Sequence, residues 1–129
     1  MFANNKNIEI IKGNSVSELP KLIKKNKNKR ILFFLDAHYS GGKTGQGEIE
    51  VPILQELMII ANDLENTCSI IIDDADLFEY ADNTISWKGI NEKNILSSLD
   101  DRIERYFYIQ NTVKALDKSR LVIKLNKKI

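Results

Sequence analysis

The sequence predicts an α/β domain of the open kind: a three-layer sandwich on a mostly parallel sheet that ends in an antiparallel strand pair. Three observations predict it. Two runs, ILFFLD from Ile31 and SIIIDD from Ser69, are largely apolar until they end in carboxylates, as in strands buried on both faces with a loop at the C-terminal end. Segments whose apolar residues recur at three and four positions alternate with these runs. Two further β-prone runs, YFYIQ and RLVIKL, follow near the end and pair most simply with each other at one side of the sheet.

Taken in order, Ile8 to Ile11 is a short β-prone run. Gly13, Asn14 and Ser15 supply turn and helix-start chemistry before SVSELPKLIKK. The helix closes on KKNKNKR, a solvated basic stretch, and ILFFLD follows as a buried strand. In AHYSGGKTGQGEIE four glycines, Gly41, Gly42, Gly45 and Gly47, oppose regular structure and predict a long flexible loop. VPILQELMIIANDLE returns to helical spacing, with Pro52 suited to a first turn. SIIIDDADLF repeats the strand-then-carboxylate design. After an irregular stretch from Glu79 to Gly89, INEKNILSSLDDRIERY is a third helix capped by Asn91 or a neighbour. The predicted order is β-α-β-α-β-α-β-β in one domain, residues 1–129. Right-handed crossovers then put helices on both faces and ligands at the C-terminal strand ends.

Composition excludes more than it names. With 43% hydrophobic residues, 129 residues can build a core without disulfides or metal staples. Lys and Arg number 19 and Asp and Glu 18, so no bulk field draws the chain to nucleic acid or to a membrane surface. The one cysteine, Cys68, has no intramolecular partner and suits a reducing compartment. No apolar stretch approaches the ~20 residues that span a bilayer, and MFANNKNIEI lacks signal-peptide character. The expectation is a cytoplasmic protein.

The chemistry concentrates at one strand edge. Asp36 closes one buried strand and Asp73 with Asp74 closes the next. If the strands are neighbours, ~4.8 Å apart, the three carboxylates meet. Such a cluster is favourable when a divalent cation binds it, a donor bonds it or one member keeps a proton. His38, the only histidine, has an ordinary pKa near ~6.5 and suits a general base or a metal ligand. The plainer reading is that these aspartates accept loop N–H bonds and that His38 is a structural hydrogen-bonding residue.

AHYSGGKT comes close to the phosphate-binding loop G-x-x-x-x-G-K-[ST], with Ala37 in the first glycine position. That chemistry needs a helix beginning at Lys43 and Thr44, and Gly45, Gly47 and Pro52 delay the next helix to about Val51. A glycine-rich substrate loop accounts better for the segment.

LDAHYSGGKT from Leu35 to Thr44, PILQEL from Pro52 to Leu57 and IDDADLF from Ile72 to Phe78 together resemble the C-terminal part of class I S-adenosylmethionine-dependent methyltransferases. The likeness is closest to a bacterial group with LDAHYSGG-x-T and IDDA strands. It covers nearly the whole chain. What it implies is an open Rossmann-like sandwich whose sheet ends in an antiparallel hairpin. It further implies S-adenosylmethionine beside Asn14 and Ser15, where the family has an acidic residue in the place of Asn14. Methyl transfer to an oxygen or nitrogen of a small-molecule or sugar-type acceptor would then occur at the carboxylate edge. In that reading His38 or Asp36 removes the substrate proton, and Asp73 with Asp74 positions the acceptor. Asp36, Asp73 and Asp74 can hold Mg or another divalent cation, and Tyr39, Gly41, Gly42 and Thr44 form the substrate loop.

The family's first strands and glycine-rich cofactor loop should precede Ile8, and the chain has no GxGxxG-like segment. The expectation is therefore a domain truncated on its N-terminal side: a fragment, a degenerate product or a half that a partner completes. The sheet edge and apolar faces so exposed predict a homo-oligomer. A non-catalytic binding or assembly module on the same scaffold is the second reading, and a phosphate-loop nucleotide-binding protein the third.

Overall fold

The computed structural model describes residues 6–36, 51–83, 85–111 and 116–129. Helix α1 (Ser15–Lys25) leads into strand β1 (Ile31–Leu35), and α2 (Ile53–Asp63) into β2 (Cys68–Ile72). Helix α3 (Glu92–Leu99) then precedes β3 (Ile103–Asn111) and β4 (Leu116–Leu125). Local chemistry explains where the helices start. Asn14 caps α1 by accepting from the Val16 amide at 2.8 Å, and Asn91 caps α3 by accepting from the Asn94 amide at 2.8 Å.

The four strands form one mixed sheet in the order β1-β2-β4-β3. β1 and β2 are parallel, whereas β4 is antiparallel to both of its neighbours. The terminal strand pair is thus antiparallel, as the sequence predicts. A mostly parallel sheet is not what forms, because β4 returns into the space between β2 and β3 and makes both of its pairings antiparallel.

Register gives the sheet two unlike faces. Phe33, Ile70 and Ile123 stand in one row and Leu35, Ile72 and Leu121 in the next. These rows face Ile23 of α1, Ile53, Leu57 and Ile60 of α2, and Ile95 and Leu99 of α3 in a single core. On the opposite face Phe34, Ile71, Val122 and Phe107 make a row across all four strands, with Phe34 and Phe107 exposed. The predicted three layers are therefore two among the described residues: α1, α2 and α3 pack side by side on one face.

Three element boundaries differ from the sequence reading. Ile8 to Ile11 is extended and exposed but joins no strand. A β-prone run without a neighbouring strand has no ladder to join, and its one ion pair among the described residues, Glu9 to Lys25 at 3.6 Å, is exposed and weak. The third helix stops at Leu99, well short of Tyr106. The chain turns at Asp100 (φ 53) and swings Arg102 inward, where its guanidinium donates to the carbonyls of Ala61, Leu64, Asn66 and Asn126 at 2.6–3.0 Å. Two of those carbonyls belong to the C-terminal end of α2, where helical partners run out. Finally, β4 begins at Leu116, inside the segment read as a connection.

Candidate functional site at the carboxylate edge

β1 and β2 run side by side with Leu35 opposite Ile72, and the Asp73 amide donates to the Leu35 carbonyl at 3.0 Å. The next residue on each strand is an aspartate. Parallel neighbours carry both to the same edge, so Asp36 and Asp73 continue the alternation on the sheet face away from the helices. Asp74 departs from it. In the left-handed conformation (φ 58, ψ 38) it opens a 3-10 turn, Ala75–Leu77, and its side chain is almost fully buried. Aspartate tolerates this backbone better than β-branched residues do. One carboxylate oxygen from each of Asp36, Asp73 and Asp74 lies within 4.8 Å of the others.

Arg120 of β4 is the cation that sequence reasoning missed. Its Nε donates to Asp73 Oδ1 at 3.1 Å, and its guanidinium lies 5.7 Å from the centre of the Phe34 ring. The alternation of RLVIKL puts Arg120 on the same face as Val122. Only the register of β4 against β2, however, aims it at Asp73. Three carboxylates and one guanidinium leave negative charge in excess, and all the donors are hard oxygens. Ligand oxygens around a magnesium or calcium ion at 2.0–2.6 Å sit no farther apart than about 5 Å. Asp36, Asp73 and Asp74 thus fit a divalent cation in donor chemistry and in span.

Asn14 and Ser15 open α1, which packs against α2. The Asn14 carboxamide oxygen is engaged in capping α1, and the Ser15 hydroxyl donates to Glu56 Oε1 at 2.5 Å. Neither arrangement shows a side chain held ready for a cofactor. Glu56, in the first turn of α2, is a second residue the sequence reading passed over. It is buried, and burial raises its pKa above the ordinary carboxylate value while the Ser15 hydrogen bond works against that rise. Its spacing from Ile53 and Ile60, on the inward stripe of α2, was the available signal.

His38, Tyr39, Gly41, Gly42 and Thr44, with Lys43 of the phosphate-loop reading, lie outside the described residues. Helix α2 begins at Ile53, close to the predicted start. Trp87 is fully buried with its ring 6.2 Å from that of Phe78, so it packs in the core. Cys68 is buried as well, and burial pushes its thiol up to about 11, which leaves it a poor nucleophile near neutrality. No described helix is long and apolar enough to cross a membrane. Comparisons with protein families, curated proteins and solved structures find no match to this chain.

Proposed function

We propose that this chain is a methyltransferase-like domain of the open Rossmann-like kind, which handles a small hydroxyl- or amine-bearing acceptor at the carboxylate edge. The observation that carries the reading is the convergence of Asp36, Asp73 and Asp74 at the C-terminal ends of two adjacent parallel strands. That is where open α/β sheets bind ligands. The antiparallel pair at the side of the sheet agrees with what the sequence resemblance implies.

In this reading S-adenosylmethionine, when bound, supplies the methyl group. The chain's own part is orientation. Asp36, Asp73 and Asp74 would hold a divalent cation, which would supply Lewis-acid polarisation of the acceptor oxygen, and His38 or Asp36 would take its proton. Arg120 keeps Asp73 from turning away. Proximity of this kind supplies much of the rate when the transferred group is already activated.

Titration calorimetry with S-adenosylmethionine and S-adenosylhomocysteine, with and without magnesium, tests the reading. Binding at micromolar strength supports it, and no binding at millimolar ligand overturns it. The second outcome favours a non-catalytic binding module on the same scaffold. One observation favours that module now: Asn14 and Ser15, the residues assigned to the cofactor, commit polar atoms to a helix cap and to Glu56.

A further inference from the structure

We propose that the outer edge of β1 docks a second copy of this chain, through antiparallel pairing of the two β1 strands about Phe33. The inference does not depend on methyl transfer.

β1 is the outermost strand of the sheet, and among the described residues it pairs with β2 alone. The hydrogen bond from the Asp73 amide to the Leu35 carbonyl shows which peptide groups face inward. Ile31, Phe33 and Leu35 direct theirs to β2, so Leu32 and Phe34 direct theirs to the outer edge. Natural edge strands are blunted by prolines, bulges or inward-pointing charges. β1 has the sequence ILFFL, has no bulge in its pairing with β2 and carries two of the most exposed large apolar side chains, Leu32 at 62% and Phe34 at 49%.

The strand is complementary to itself. Centring an antiparallel pair on Phe33 puts Leu32 of one copy opposite Phe34 of the other. Both residues then present backbone donors and acceptors to each other, and their side chains meet on the same face. This register also sets Arg30 opposite Asp36 at each end, both exposed and both on that face. Shifting by one ladder step would put Arg30 against Phe34, or Leu32 against Asp36. Only the register centred on Phe33 matches apolar to apolar and cation to anion throughout. On the helix-covered face, Leu35 of the second copy comes opposite Ile31. That is the mouth of a groove of about 380 Å³ lined by Leu19, Leu22, Ile23, Ile31 and Phe33. The contact is short, so the association belongs to the weak, small-interface class.

Sedimentation velocity over a concentration series, in chelator so that no cation engages Asp36, provides the test. The wild-type chain should dimerise in the micromolar to millimolar range. Arg30→Glu and Asp36→Arg should each weaken self-association by roughly tenfold or more, since each sets like charges opposite at both ends. An equimolar mixture of the two variants should regain wild-type association. In the mixed dimer the introduced glutamate meets the introduced arginine at one end, and the unaltered Asp36 meets the unaltered Arg30 at the other. Recovery in the mixture also shows that each variant is folded. A wild-type chain that stays monomeric at millimolar concentration overturns the proposal. So do variants that associate like wild type, or a mixture that fails to recover.

Discussion

Glu56 links the pH response of this protein to one buried carboxyl group. Its native pKa is raised by burial above the ordinary value of 4.5, so the folded chain holds this proton more tightly than the unfolded chain. The stability that Glu56 contributes is complete below that ordinary value and is lost as pH rises through the raised native one. Glu56→Gln keeps an acceptor for the Ser15 hydroxyl and cannot ionise. Urea unfolding should find the variant more stable than wild type at neutral pH, with the difference vanishing as the solution is acidified through that window. The opposite trend would mean that Glu56 is stabilised as a carboxylate. The sequence offered the position of Glu56 but not its burial, because helical spacing names a face and not how closely the neighbouring helix covers it. The aspartates were easier to read. Asp36 and Asp73 follow uninterrupted apolar runs, and strand alternation alone carries them to one edge. The inward turn of Asp74 rests on a backbone conformation that no pattern of residues discloses.

Helix boundaries show where local signals suffice and where tertiary contacts override them. α1 occupies the predicted segment because Asn14 begins it and its basic last turn closes it. α3 starts at its predicted cap, yet the apolar spacing of Leu99 and Ile103 suggested a longer helix. Arg102 decides the matter. Held inside by carbonyls at the end of α2, ahead of β2 and just past β4, it obliges the chain to leave the helix and enter β3. Arg102→Ala should destabilise the protein by roughly 3–5 kcal/mol in urea unfolding, since several buried carbonyls lose their donor together. A loss below about 1 kcal/mol would show that water replaces the guanidinium. Arg102→Lys should recover only part of the loss, because an ammonium cannot reproduce the planar fork. The place of β4 was likewise hidden. Its alternation announces a strand, but nothing in RLVIKL says that it lies between β2 and β3.

At the scale of the molecule, the helices cover one sheet face while the other bears the apolar row from Phe34 to Phe107 and the carboxylate edge. A cation that binds the folded chain and not the unfolded one raises its stability by about 2.7 kcal/mol at a hundredfold excess over its dissociation constant. Thermal unfolding should therefore shift upward with magnesium, manganese or calcium in the wild-type chain. The shift should be absent in Asp36→Asn and Asp73→Asn, and a shift that survives both substitutions would place the ion elsewhere.

The interior position of β4 also bears on how the chain is made. As a ribosome delivers it, α1, β1, α2 and β2 emerge before β4, and β2 then has only one of its two neighbours. Leu121 and Ile123, both fully buried against β2, arrive only after α3 and β3. The nascent domain must therefore wait with its central strand half paired, and closing the sheet is a late, long-range event in its synthesis.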